Sequence, residues 1–337
     1  MFSSQERSYF IPHVAHPEAS LRDGRMTDPL KIPPFRDSHM HFTVEGRPAS
    51  MPEIEDIGKA YLRRGVFEVR DMGNRYAAGM LARKLLTGSV TVRSCGHALF
   101  KKGTYGGFLG KGVGGVTDIK REIEALYRAG ADFIKVINSG IVSSRGGRLV
   151  TEGGFAPEEL KTICGVAGER GLAVACHANS DSAVREAVGE GVASIEHGFF
   201  VSRETLDAMA EKGAAWTPTA FALLSIGGMV PPEEARYLEE VVEEHLASVK
   251  YACGRGVRVR IGSDSGSKAV SHGESFIEEM RLFRKAGLTL DQILSAACLD
   301  TEEIEKGNYL LVKEDFIESG KIEGAYHGGK LVDAGCL

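Results

Sequence analysis

Apolar residues along this chain alternate between two rhythms. Short runs of strand character recur at 34–41, 65–71, 89–95, 132–138, 172–178, 193–198, 214–219 and 257–264. Between them the pattern becomes helical, bounded by capping residues. The segment "TDIKREIEALYRAG" offers Thr117 and Asp118 as caps and stops at Gly130, while "APEELKTICGVAGERG" has Pro157 in its first turn and Gly171 after its last. Further helices are expected near 202–212, 232–254 and 273–286. Strands that alternate with helices are parallel strands joined by crossovers. The eight strand-like runs predict an α/β chain built as a (β/α)8 TIM barrel rather than an open doubly wound sheet. Both ends fall outside the alternation. They are expected to form an N-terminal arm at 1–33 and a C-terminal β flap at 301–337 around a barrel at 34–300. The ends would thus supply a reduced or rebuilt small β accessory region.

Composition narrows the class. With 337 residues and 43% hydrophobic side chains, the chain can bury a large core. A net charge of −5 with interspersed signs argues against a nucleic-acid or anionic-membrane partner. No apolar run approaches the roughly 18–20 residues that span a bilayer. The start, "MFSSQERSYF", lacks the basic and apolar regions of a secretory signal. Six cysteines without a C-x-x-C pair read as reduced thiols in a cytoplasmic protein, and no motif supports Cys176 as a nucleophile. The expected partner is a small-molecule substrate. Assembly into a homo-oligomer is left open.

Chemistry enters with "PFRDSHMHF". Residues two apart in a strand share a face, so Asp37, His39 and His41 line up. In "DFIKVIN", Lys135 shares a face with Phe133 and Ile137. An ammonium buried there must be neutralised, paired or modified. His177 closes "LAVACHA" beside the small Ala173 and Ala175, His197 closes "ASIEHG", and Asp264 closes "RIGSD". Barrel enzymes build their sites where strands end, so these side chains converge on one mouth. Imidazoles and a carboxylate suit Zn²⁺ and similar divalent ions. Taken singly, each residue has a plainer reading, such as a core histidine, an ion-paired lysine or a helix cap at Asp264. The set as a whole points to a metal site. Asp264 shares the parity of Arg258 and Arg260, which should not both enter a core, so a bulge or kink is expected at Gly262.

These residues, with "GVFEVRDMG", "GADFIKVINSG", "SIEHGFF" and "GSDSG" followed by "HGES", resemble the amidohydrolase superfamily from about Asp37 to Ala297. The likeness is to its binuclear type, among prolidase-like dipeptidases and imidazolonepropionase-related members. The resemblance implies a hydrolase of a carbon–nitrogen bond, amide or dipeptide-like, that uses a hydroxide bridging two divalent metals, Zn²⁺ being the expected ion. By the same resemblance His39 and His41 bind the more buried metal, and His177 and His197 bind the second. Lys135, carbamylated by CO₂, bridges both. Asp264 completes the first site and moves the proton of the hydroxide. Asp37 supports the ligands from behind.

A lactonase or other ester hydrolase would use the same centre. A mononuclear deaminase fits less well, because Ser180 stands where those members carry glutamate and a lysine on strand 4 is foreign to them. A non-enzymatic barrel relative would have lost ligands, and none is missing. The chain departs from the prolidase-like pattern with Ala178–Asn179 after His177, in place of a second histidine at 179, and with "SAACLDTEEIEKGNYLLV" in place of "AT-x-NPA".

Other features are read more locally. Gly110, Gly112 and Gly115 satisfy G-x-G-x-x-G, but no strand immediately precedes the segment 101–115. It is read as a mobile loop over the mouth that brings His97 and Tyr105 to the substrate. In "SGIVSSRGGRLVTEGG", Arg145 and Arg148 are candidates for a substrate carboxylate, and His272 in "SHGES" is a candidate pocket residue. Arg70 and Asp71 are read as a structural ion pair, and His13, His16, His245 and His327 as surface residues.

Overall fold

In the computed structural model, residues 29–332 and the backbone of 21–22 and 25–26 are described; His13, His16 and Cys336 lie outside the described residues. The first elements are β1 (Leu30–Ile32), β2 (Phe35–Met40), α1 (Met51–Arg63), β3 (Val66–Asp71), α2 (Ala78–Leu85), β4 (Thr91–Ser94), β5 (Ala98–Lys101), β6 (Gly110–Val113) and α3 (Val116–Arg128). There follow β7 (Ile134–Ile137), α4 (Pro157–Glu169), β8 (Val174–Ala178), α5 (Asp181–Gly189), β9 (Ser194–His197), α6 (Arg203–Lys212), β10 (Ala215–Thr217), α7 (Ala220–Ser225) and α8 (Pro232–Gly254). The chain closes with β11 (Arg258–Val259), α9 (Glu274–Lys285), α10 (Leu290–Ala297), β12 (Tyr309–Val312), β13 (Gly324–His327) and β14 (Lys330–Leu331). Each of the apolar runs expected to be a strand is one.

The fold is the α/β barrel that the alternation predicts. Strands β2, β3 and β4 form one parallel arc. A second parallel arc runs β6-β5-β7-β8-β9-β10-β11. Backbone hydrogen bonds join the arcs on both sides. Asp132 N donates to Ser94 O at 2.9 Å, and Ser38 N to Ile261 O at 2.9 Å. His41 N to Ser265 O (2.9 Å) and Asp264 N to His39 O (2.7 Å) extend the second seam.

Local chemistry explains the crossover helices. Ala156 N donates to Glu159 at 2.9 Å at the start of α4, and Ser202 receives Thr205 N at the start of α6. Gly213 ends α6 in the left-handed region at φ 70. Helix α3 begins two residues before the start that a Thr117 cap would set. Its cap is Gly115, and Asp118 lies inside the first turn, accepting Gly114 N at 3.2 Å. No described helix is long and apolar enough to cross a membrane.

The glycine-rich segment corrects an expectation. It is an extra parallel pair, β5 and β6, with Gly110 set against Ala98. A Cβ at Gly110 would sit 1.7 Å from the Ala98 carbonyl oxygen, so the missing side chain is what lets the two strands meet. The chain ends form an antiparallel sheet in the order β14-β13-β12-β1, with Ile32 paired to Leu310. Phe35 on β2 lies 5.9 Å from Phe316, which packs this sheet against the barrel.

Candidate functional site

The site is built around the irregular seam between β2 and the segment after β11. Register shifts in the pairing of β2 with β3 break strict alternation. The buried Asp37 carboxylate accepts Ser263 N (3.0 Å), Ser263 Oγ (2.5 Å), Tyr61 Oη (3.0 Å) and His39 N (3.2 Å). It thereby ties β2, α1 and the 261–265 segment into one unit. Regular strand structure ends at Val259. A Cβ on Gly262 would lie 2.4 Å from Thr217 Cγ2 and 2.8 Å from His39 Cβ, so glycine is required by close approach. Asp264 sits in the left-handed region at φ 52 and His197 at φ 68. These conformations cost free energy and cluster at functional positions. The expected break at Gly262 therefore takes this form, and Asp264 need not follow Arg258 and Arg260.

Four imidazoles meet here, and each is pinned through one nitrogen. His39 Nδ1 donates to Glu196 Oε2 at 2.8 Å, and His41 Nδ1 donates to Gly73 O at 2.7 Å. His177 Nε2 donates to Gly140 O at 2.9 Å. Thr219 Oγ1 gives its proton to Pro218 O at 2.8 Å, so it accepts from His197 Nδ1 at 2.7 Å. In the neutral ring the other nitrogen then carries a lone pair. The rings of His177 and His197 are 4.5 Å apart, and those of His39 and His197 4.9 Å. Burial pushes His177 down to about 4 and His197 well below its usual range, which keeps both neutral.

Asp264 Oδ1 lies 3.2 Å from His39 Nε2 and 3.3 Å from His41 Nε2. The ligand atoms of His39, His41 and Asp264 all fall within 4.8 Å of one another, a candidate metal site. Burial alone would raise the Asp264 carboxyl, but His39 and His41 hold it well below the carboxylate range. Lys135 is 1% exposed and its Nζ has no hydrogen-bond partner among the described residues. Burial pushes the Lys135 amine down, opposed chiefly by Glu196, Cys176 and Asp264.

The other candidates divide. The Tyr105 ring lies 5.9 Å from that of His177, so it does face the cluster. His97 Nε2 bonds instead to Glu122 at 3.1 Å, towards α3. Arg145 is exposed, and Arg148 pairs with Glu244 at 2.6 Å. His272 Nε2 donates to His41 O at 2.9 Å and packs edge-on to Tyr61, bracing the strand from behind. Arg70 and Asp71 do not pair, because neighbours on β3 face opposite ways. Asp71 accepts Ser94 Oγ at 2.6 Å, and Arg70 lies over the Phe133 ring. His327 is exposed, as expected.

His245 is a correction. It is buried, stacked on Phe199 at 4.0 Å, and it donates to Pro218 O at 3.1 Å behind the Thr219 turn. Its position with Leu238, Val241, Val242, Leu246 and Val249 on the buried face of α8 was the missed signal.

Sequence reasoning also passed over Glu196, Thr219 and Asn179, although a single carboxylate in the apolar run "ASIEHG" is conspicuous. Asn179 Nδ2 donates to Gly140 O at 3.1 Å, the same carbonyl that holds His177. A separate cavity of 340 Å³ is lined by Asn138, Thr151, Ser180 and Glu186 among others, and none of the cluster residues lines it.

Comparisons with known proteins show the family and the fold. The model of the Amidohydrolase family matches residues 30–304. Ochratoxinase from Aspergillus niger is 27% identical in an alignment of 326 positions that covers 83% of this chain and 67% of the relative's length. Its crystal structure superposes with a TM-score of 0.73 at 20% identity, covering 90% of this chain and 83% of that one. A Xaa-Pro dipeptidase with methionine bound in its active site superposes with a TM-score of 0.74 at 20% identity, covering 90% and 86%.

Proposed function

The chain belongs to the amidohydrolase family, and from that premise we propose that it hydrolyses an amide or dipeptide-like bond at a binuclear metal centre in the barrel mouth. Hydrolysis of a carbon–nitrogen bond is the activity that the family and the ochratoxinase relative support. His39, His41 and Asp264 would hold one ion and His177 and His197 a second, and Lys135, once carbamylated, would supply anionic oxygen donors to them. Two divalent ions, Zn²⁺ in the first instance, would lower the pKa of a shared water and polarise the scissile carbonyl.

The observation that carries this reading is the pairing of pinned imidazoles with an orphaned lysine. Each ring has one nitrogen spent on a fixed partner and the other free. Such outer partners set tautomer and orientation in metal sites. Asp264 Oδ1 faces two of these free nitrogens. At these distances a proton or a cation must lie between the carboxylate oxygen and each ring nitrogen, and one divalent ion would serve both. Lys135 Nζ is buried without a partner, and conversion of the amine to a carbamate replaces that ammonium with anionic oxygen donors.

The protein's own groups supply the rest of the chemistry. Asp264, ionised in its setting, accepts the proton of the attacking water and returns it to the leaving nitrogen. Asp37 and Glu196 keep the seam and the His39 ring in place. Tyr105, beside His177 and Phe108, presents an aromatic wall to the substrate.

Metal analysis of protein purified without chelators, with electron density at Lys135, tests the centre. Two ions per chain and a carboxylated Nζ are expected. No bound ion together with an unmodified lysine overturns the binuclear reading. A hydrolysis screen across N-acyl amino acids, dipeptides and lactones, with Zn²⁺ or Mn²⁺ supplied, then tests the bond. Turnover of lactones alone would transfer the assignment to ester chemistry. Lys135→Ala should reduce turnover of the identified substrate by about tenfold or more, and full retained activity contradicts the role of Lys135.

A further inference from the structure

His197 sits in a backbone conformation that its residue type disfavours, and so does the threonine that holds its ring. His197 has φ 68 and Thr219 has φ 51. A β-branched residue is a genuine outlier there, and it persists only where the surrounding structure over-determines it. Thr219 Oγ1 accepts from His197 Nδ1 at 2.7 Å and gives its own proton to Pro218 O at 2.8 Å. Trp216 Nε1 donates to His197 O at 2.8 Å. A Cβ on Gly198 would lie 2.6 Å from Trp216 Nε1, so this contact depends on the glycine that follows His197.

Two helices of the outer layer converge on the turn at 218–221. From α8, His245 Nε2 donates at 3.1 Å to Pro218 O, the carbonyl that also orients the Thr219 hydroxyl. The His245 ring stacks on Phe199 at 4.0 Å and packs edge-on to Trp216 at 5.2 Å. From α9, Glu279 accepts Ala220 N on Oε1 at 2.9 Å and Phe221 N on Oε2 at 2.7 Å. Both His245 and Glu279 are buried, and each carries a desolvation cost. His245 shares the buried face of α8 with Leu238, Val241, Val242 and Leu246, and its Nδ1 has no hydrogen-bond partner among the described residues. A phenylalanine would stack on Phe199 without desolvating two ring nitrogens. What the imidazole adds over such a ring is the hydrogen bond to Pro218 O. Glu279 likewise brings a carboxyl group into the core and uses both oxygens on the two amides that follow Thr219.

We propose, on the binuclear reading above, that His245 and Glu279 are positioning residues of the second metal site: they fix the turn at 218–221 from two sides, and through Thr219 they fix the tautomer and direction of the His197 ring. The two ions are then unequal in what they depend on. His39 and His41 are pinned by Glu196 and by Gly73 O, which have no part in this turn. His245 and Glu279 therefore govern the ion on His177 and His197, and the ion on His39, His41 and Asp264 stays in place without them.

Competition of the Zn²⁺-loaded full chain against a chromophoric chelator resolves the two ions by affinity, and a thermal melt verifies folding. His245→Phe keeps a ring on Phe199 and removes the donor, whereas His245→Gln loses the ring and keeps a donor. His245→Phe should weaken one ion about tenfold or more and the other by less than about twofold. His245→Gln should weaken that ion less than His245→Phe does. Glu279→Met, which removes both acceptors, should weaken the same ion. Anomalous density at the zinc edge in His245→Phe crystals should show the depleted ion to be the one on His177 and His197. The reverse order, with His245→Phe like wild type and His245→Gln impaired, assigns His245 to packing and overturns the proposal. Equal weakening of both ions in a folded variant overturns it too. A wild type that binds a single ion refutes the binuclear reading, and the positioning role falls with it; two ions in the wild type and unchanged affinities in the variants refute the positioning role alone. Should Glu279→Met not fold, the two His245 variants decide.

Discussion

Glu196→Gln is the most informative single change. Glu196 is 0% exposed, with Oε2 2.8 Å from His39 Nδ1 and Oε1 2.6 Å from Ser194 Oγ. Burial would raise its pKa, but the His39 hydrogen bond, then Lys135 and Arg70, hold it far below the usual range, so it is ionised. Glutamine keeps the shape but offers one acceptor oxygen, so with the His39 contact kept its amide NH2 faces Ser194 Oγ, and it removes the charge. A hydrogen bond to a charged group contributes about 1.5–3 kcal/mol against about 0.5–1.5 for a neutral one. The His39 contact should therefore weaken by roughly 1–2 kcal/mol, or about 5- to 30-fold in an equilibrium constant. Loss of an outer carboxylate behind a metal-binding histidine usually costs 10- to 100-fold in affinity. The two ranges overlap near 10- to 30-fold, which is the expected rise in the Zn²⁺ dissociation constant. Competition against a chromophoric chelator at pH 7 measures it, and a thermal melt verifies folding. Ser194→Ala, which removes only the partner of the other oxygen, should give a smaller change. A folded Glu196→Gln protein that binds Zn²⁺ within about twofold of wild type refutes the claim that this carboxylate sets the basicity of His39.

Two further changes test the frame around the site. Glu279 is fully buried, where burial lifts its carboxyl to about 7 against the pull of Phe221 N and Ala220 N. The folded state then holds a proton that the unfolded chain releases above the ordinary carboxyl value of 4.5. Stability should fall as pH rises through that window, by up to about 3 kcal/mol, and Glu279→Gln should flatten the slope. Urea midpoints at pH 5 and pH 8 measure this; equal slopes for the two proteins would exclude the effect. Gly110→Ala drives a Cβ to 1.7 Å from Ala98 O, whereas Gly112→Ala meets only side-chain atoms at 3.1 Å and beyond. The first should cost about 2 kcal/mol or more and the second well under half of that. Melting curves showing equal losses would mean that β5 and β6 are not held together as described.

Much of the architecture was legible in the chain because it is locally encoded. Apolar runs and caps act over a few residues, so the strands of the barrel and five of its helices could be placed from sequence. The residues of the candidate centre were legible for a related reason. Once the strands are parallel, every side chain at a strand end is carried to the same mouth, whatever lies between. The partners of those side chains could not be read this way. Glu196 and His39 are 157 positions apart, and Asp37 and Ser263 are 226 apart. No local pattern fixes which carboxylate faces which ring. The same holds for His97, drawn to Glu122 on α3, and for His272, drawn to the backbone of β2. The chain by itself determined a barrel and the residue types gathered at its mouth. Only the closed tertiary structure decided which nitrogen of each histidine is bound to its outer partner, and that Lys135 Nζ has no hydrogen-bond partner among the described residues. Desolvation and hydrogen bonding act across space, between groups that sequence separation does not relate.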